Sequence, residues 1–244
     1  MLTKRFELFT LMGFRVSLDL SWFVIAILVT WSLATGYFPG VIAGLAGAGR
    51  DDAERLPGDD AAVLRFGERR QVISTDHLRA FANDPALVAR VAAVHALGDV
   101  WAMGAAPQSA LATVILPRMA PDMAEATLEE ILTPAAAVLG AAGADLVGGH
   151  TTLGDELTVG FTVTGLATRA PITLAGARPG DALLLTRAIG SGTLLAAAMQ
   201  GRAAGDDVCA ALALMGRPQG DAAQALAGAH AMTDVTGFGL AGHT

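Results

Sequence analysis

The chain has 244 residues, 53% hydrophobic and 16% charged, which supports a packed core and excludes a disordered tail. Its formal net charge of −7 disfavours nucleic acid as a main partner. The single cysteine, Cys209, excludes a disulfide framework and a thiolate zinc cluster.

The first feature along the chain is apolar. No charged residue occurs from Leu20 to Gly49, and residues 21–38 read SWFVIAILVTWSLATGYF. About 20 apolar residues cross a bilayer core, so this stretch predicts a hydrophobic, transmembrane-like helix with possible membrane contact over residues 20–39. A cleaved signal peptide fits less well, because the run is long and its flank carries acidic as well as basic residues. The composition changes after Arg50. Alternation predicts strands over 71–75 and 157–166, and a helix follows Pro85 over 86–103. A second helix is expected over 124–142. A short strand over 144–147 should enter a glycine turn at Gly148-Gly149. Beyond a break near Ala170-Pro171, a strand is expected within 177–186 and helices over 193–199 and 209–226. A short strand over 230–233 should precede another helix opening at Gly237-Phe238-Gly239. The mixture predicts α+β layers rather than a regular parallel winding.

Acidic residues mark the candidate chemistry. Asp59 and Asp60 precede an apolar run, Asp76 ends the strand QVIST, Asp99 sits on a mostly apolar helix, and Asp234 precedes VTGFG. Such carboxylates are costly to desolvate unless a positive group compensates them, and a Mg²⁺–polyphosphate is one such group. Asp59 and Asp76 also suit turns. Asp99 is harder to explain structurally, since Asp is a poor helix former. Gly148, Gly149, His150 and Thr151 could bring backbone N–H groups and a hydroxyl to phosphate, or could simply form a turn. The Gly190–Thr193 segment is a weaker anion candidate of the same kind. His95 lies four residues before Asp99 and should share its helical face, meeting either substrate or Asp99 itself. Cys209, in an alanine-rich helix, is expected to pack in the core, as are the methionines and phenylalanines.

Several segments together resemble selenophosphate synthetase (selenide, water dikinase). They are PGDDAAVL (57–64), STD (74–76), NDP (83–85), HALGDVWAMGAAPQSALA (95–112), GADLVGGHT (143–151), FTVTGL (161–166), RPGDALLLTRAIGSGTL (178–194) and MTDVTGFGLAGH (232–243). The resemblance covers residues 50–244. It implies an α+β fold: an aminoimidazole ribonucleotide synthetase-like N-terminal domain over 50–170, then the start of a second α+β domain over 171–244, preceded by the hydrophobic segment 1–49. It implies an ATP-dependent phosphotransferase that converts ATP, selenide and water to selenophosphate, AMP and phosphate with Mg²⁺. Metal binding falls to Asp60, Asp99 and Asp234, and nucleotide binding to Asp76, His95, Gly148, Gly149, His150 and Thr151. A cytoplasmic homodimer, its sheets paired between subunits, is implied as well. Thiamine monophosphate kinase, of the same superfamily, is the alternative enzyme, and a non-catalytic membrane-associated fragment is the alternative of another class.

Two departures qualify the expectation. The cysteine or selenocysteine motif with its nearby lysine has no counterpart here, since Lys4 is the only lysine, so no catalytic residue is assigned. Most of the second domain is expected to be missing. ATP binding is therefore expected to survive and selenophosphate formation is not. Residues 5–39 also resemble the first membrane segment of site-2 metalloproteases, but their HExxH motif is absent from the sequence, so that activity is dismissed.

Overall fold

The computed structural model describes residues 5–11, 14–19, 53–54 and 59–243. It divides into two units, Met1–Asp51 and Asp52–Thr244. In the first, β1 (Arg5–Leu11) and β2 (Phe14–Asp19) form an antiparallel pair, with Arg5 opposite Asp19 and Leu11 opposite Phe14. The apolar run 20–39 lies outside the described residues. No helix among the described residues is long and apolar enough to cross a membrane.

The second unit is built on one six-stranded sheet. Its strands are β3 (Ala53–Glu54), β4 (Ala62–Phe66), β5 (Arg69–Arg79), β6 (Ala106–Pro117), β7 (Asp145–Gly154) and β8 (Thr158–Ala167), in the order β3-β4-β5-β8-β6-β7. All neighbours are antiparallel except β6 and β7. That parallel pair is joined through helix α2 (Pro121–Ala141), since a parallel connection needs a crossover.

Helix α1 (Pro85–Ala102) decides where the core sits. Asp84 caps it by accepting the Leu87 N–H at 2.9 Å, and Pro85 occupies its first turn, where no N–H is required. Its last turn ends at Met103, and Gly104 then takes φ +68, a left-handed value that glycine reaches without strain. The helix is buried around most of its circumference, packed against β5, β8 and α2. Val88, Leu97 and Val100 are fully buried with Phe161, Val163 and Val72 of the sheet. Burying each such side chain contributes about 1.5–3 kcal/mol relative to exposure. Strand β6 alternates accordingly: Ala110, Ala112, Val114 and Leu116 face this core, while Leu111 and Thr113 are exposed on the other face.

The remaining segment, after a 3₁₀ turn at Leu174–Gly176, carries short helices α3 (Ser191–Met199), α4 (Gly205–Met215), α5 (Gly220–Ala225) and α6 (Leu240–His243). Trp101 of α1 packs on α5 at Gly220, where a Cβ would lie 3.2 Å from the indole ring.

Several expectations are corrected here. Gly148-Gly149 is no turn: β7 runs unbroken from Asp145 to Gly154. The pairing shifts register between Ala110 and Leu111, and Val147 is the extra residue of a bulge beside the glycine pair. At Gly149 the Ala112 backbone comes so close that a Cβ would overlap its carbonyl oxygen. This glycine lets two strands approach. The strands expected within 177–186 and 230–233 are irregular chain, and the helix expected over 209–226 is two helices broken around Pro218. Proline lacks the N–H and clashes with the preceding turn. Strand β6 was not foreseen, because its start at Ala106-Pro107 follows the helix closely and its alanines carry little alternation. Cys209 is exposed, as are Met199 and Phe238, at 78% and 83%. Met199 and Cys209 lie on the short helices α3 and α4, and Phe238 lies in the turn before α6.

Candidate metal centre

Four separate stretches bring carboxylates to one cleft of about 390 Å³, lined by Asp59, Asp60, Asp76, Asp99 and Asp234 with Ser74, His95, Thr236 and His243 among others. Asp59 and Asp60 stand just before β4, Asp76 is in the interior of β5, Asp99 is near the end of α1, and Asp234 is in the irregular chain before α6. Oxygens of Asp60, Asp99 and Asp234 all lie within 4.8 Å of one another. Among the described residues, no arginine or lysine lines the cleft.

The sequence builds this convergence locally. Asp99 is only 7% exposed, on a helix whose other buried residues are apolar. The Ser74 hydroxyl of β5 donates to Asp99 Oδ2. Strand alternation turns Ser74 and Asp76 toward the same side as buried Val72, under α1. Asp234 is admitted by Gly98: a Cβ there would sit 2.7 Å from Asp234 Oδ2. Thr233 donates its hydroxyl to Asp60 Oδ1 at 2.9 Å, and the Leu174 N–H donates to Asp59 Oδ1 at 2.7 Å.

Burial pushes the Asp99 carboxyl up to about 8; the Ser74 hydrogen bond works against this, while the charges of Asp234, Asp76 and Asp60 add to it. Asp234 is pushed up to about 7 by burial and then by Asp60 and Asp76. Asp60 is also raised, chiefly by burial, with the Thr233 hydrogen bond opposing. Desolvation and mutual repulsion of this kind are what a bound divalent cation relieves. The donor set is all oxygen, the set that Mg²⁺ prefers. With oxygens this close together, Asp60, Asp99 and Asp234 are the residues that would hold such an ion.

The residues expected to bind nucleotide fall in two places. Asp76 and His95 line the cleft, and His95 Nε2 lies 3.4 Å from Asp76 Oδ2, so the histidine pairs with Asp76 rather than with Asp99. Gly148, Gly149, His150 and Thr151 are exposed on the edge strand β7 and do not line the cleft. Asp76, Phe161, Ala112 and Gly149 are successive partners in one row across the sheet, so Gly149 stands three strand spacings, about 14 Å, from Asp76. Sequence reasoning missed Ser74, Gly98, Thr233 and His243 as residues of the site. All four lie inside the segments STD, HALGDVW and MTDVTGFGLAGH, and Gly98 and Thr233 directly precede a chosen aspartate, signals that could have found them.

Residues 58–167 match the AIR synthase related protein, N-terminal domain, and residues 178–244 match the C-terminal domain of the same family. The chain therefore belongs to the AIR synthase related family, as an α+β member with a mixed sheet. Within it, the chain is related to proteins named selenide, water dikinase. That of Nitrosomonas eutropha is 35% identical over 191 residues, covering 76% of this chain and 54% of the relative. That of Nitratidesulfovibrio vulgaris (strain Miyazaki F) is 39% identical over 190 residues, with coverages of 76% and 54%. That of Geobacter metallireducens is 38% identical over 210 residues, with coverages of 83% and 60%. The chain thus spans little more than half the length of these curated relatives. Among solved structures, thiamine monophosphate kinase from Aquifex aeolicus superposes with a TM-score of 0.64 at 19% identity, over 83% of this chain and 68% of that one. That likeness concerns the fold alone.

Proposed function

We propose that residues 50–244 hold Mg²⁺–ATP as the nucleotide-binding part of an ATP-dependent phosphotransferase of the selenophosphate synthetase type. The reaction of that type consumes ATP, selenide and water and yields selenophosphate, AMP and phosphate. The observation that carries the reading is the trio Asp60, Asp99 and Asp234, converging from three segments with no arginine or lysine among the described residues of the cleft. The relationship to proteins named selenide, water dikinase supports the substrate class. Asp60, Asp99 and Asp234 would hold the metal, which neutralises triphosphate charge and polarises the phosphoryl group. Asp76 and His95, at the cleft wall, would position the nucleotide. Gly148 to Thr151 would meet it from the edge strand.

The domain limits proposed are 50–170 for the nucleotide-binding domain and 171–244 for the second, with 1–49 as a separate N-terminal segment. The reading places the synthetase part in the cytoplasm as a homodimer. The dimer rests on the open sheet face, where Phe66, Leu111 and Leu166 are 59%, 47% and 39% exposed on the side away from α1. Among the described residues, no cysteine or lysine lines the cleft, so handling of selenide is not provided there. The expected activity of the chain is therefore Mg²⁺-dependent ATP binding without selenophosphate release. A thiamine monophosphate kinase activity is the second reading, favoured only by the shared fold.

Phosphorus NMR of the chain with ATP, Mg²⁺ and either selenide or thiamine monophosphate tests these readings. ATP resonances that broaden or shift with the wild-type chain and Mg²⁺, and do not with Asp99→Asn, are the expected result. Thiamine diphosphate formation would favour the second reading. No protein-dependent change in any mixture would overturn the first.

A further inference from the structure

The outer support of the acidic cleft is a directional chain of hydrogen bonds that runs from Thr236 through His243. The ring sits in the cleft wall, with Phe238 tilted against it at a centroid distance of 5.9 Å. The Thr236 backbone N–H lies 3.2 Å from His243 Nε2, and the Thr236 hydroxyl lies 3.4 Å from the same nitrogen. His243 Nδ1 lies 3.3 Å from Thr233 Oγ1. Thr233 Oγ1 in turn lies 2.9 Å from Asp60 Oδ1, with the Asp234 carbonyl as a longer alternative at 3.2 Å.

The directions of these bonds are not free. A backbone N–H can only donate, so Nε2 must accept and carry no hydrogen. A neutral imidazole then holds its hydrogen on Nδ1, which donates to Thr233. A hydroxyl that accepts from the ring has its own hydrogen available for an acceptor, and the nearer one is Asp60 Oδ1. Thr236, His243, Thr233 and Asp60 thus form a one-way relay that ends on a carboxylate of the proposed metal trio. In metal sites, mutating the groups that orient the ligands typically costs roughly 10–100-fold in metal affinity.

We infer that His243 is a positioning residue: through Thr233 it fixes the rotamer of Asp60, and so couples the turn at residues 236–243 to divalent-cation binding. This rests on the metal role proposed for Asp60, Asp99 and Asp234. It assigns His243 no contact with the ion or the nucleotide.

The test has a spectroscopic and a binding arm. In the metal-free wild-type chain at about pH 8, where a free imidazole is neutral, ¹⁵N-correlated NMR should find His243 with its hydrogen on Nδ1. Titration with Mn²⁺ followed by electron paramagnetic resonance should show His243→Ala and Thr233→Val weakening the affinity about 10-fold or more, with Thr233→Ser restoring it. The double variant should be no weaker than Thr233→Val alone, because both break one chain. Melting temperatures without metal identify any variant that fails to fold, and Thr233→Ser then carries the comparison. A hydrogen on Nε2 would overturn the relay. So would wild-type Mn²⁺ affinity in His243→Ala alongside weakened affinity in Asp60→Asn. Equal binding by wild type and Asp60→Asn would overturn the metal role and the relay with it.

Discussion

At the scale of single residues, the acidic cleft is held together against electrostatic resistance. Asp99 and Asp234 have their carboxyls raised to about 8 and about 7, from an ordinary 3.8. Between about pH 4 and pH 8 the folded chain therefore keeps protons that the unfolded chain has released. Stability is fullest below about pH 4 for these groups, and it falls as pH rises through the folded values. The melting temperature in chelator should decline across that window, and Mg²⁺ should reverse the decline by replacing the protons. Asp99→Asn should flatten the profile; a profile unchanged by Asp99→Asn and by Mg²⁺ would contradict this. Gly98→Ala should weaken Mn²⁺ affinity without unfolding α1, since alanine favours helix while its Cβ takes the space of Asp234 Oδ2. Calorimetry and circular dichroism on the same variant separate the two effects. Of the cleft, the carboxylates were legible in sequence, because a charged residue on an apolar helix or beside an apolar run demands a reason. Their supports were not. A serine, a threonine and a glycine have many uses, and only the fold shows Gly98 facing Asp234, 136 positions later in the numbering.

At the scale of elements, α1 lies tightly on β8. At Gly165 a Cβ would overlap the Val100 side chain and approach the Ala106 carbonyl oxygen to 3.1 Å. Gly165→Ala should then cost about 1–3 kcal/mol of stability, read by urea denaturation, because the packed sheet and helix have little room to yield. The opposite face of the sheet makes the contrary prediction. If the proposed homodimer forms through this face, Leu111→Glu should leave the melting temperature of the fold within a few degrees while reducing the sedimentation coefficient from dimer to monomer. An unchanged coefficient would show that this face is not the interface. The two long helices and strands β5 and β8 were readable from capping and alternation. Strand β6 was hidden, since Ala110 and Ala112 bury their small side chains without a strong hydrophobic signal. The glycine pair misled for a related reason. Glycine serves a turn and a close strand contact equally well, and only the partner at Ala112 distinguishes them.

At the scale of the whole molecule, the division at Asp51/Asp52 separates a two-stranded unit from the unit that carries the cleft. Removing residues 1–51 should leave the far-ultraviolet spectrum and cooperative melting of the remainder intact. Loss of cooperative melting would mean that the first segment contributes to the core. Asp60, Asp99 and Asp234, far apart in the chain, are proposed to form one Mg²⁺-dependent nucleotide site. Its most direct test is isothermal titration of the full chain with ATP, in Mg²⁺ and in chelator, for the wild type and for Asp60→Asn, Asp99→Asn and Asp234→Asn. Binding should be saturable for the wild type with Mg²⁺, absent in chelator, and at least 10-fold weaker in each variant, in line with the roughly 10–100-fold losses seen around metal ligands. Binding of equal strength in chelator, or in any of the three variants, would contradict the proposal.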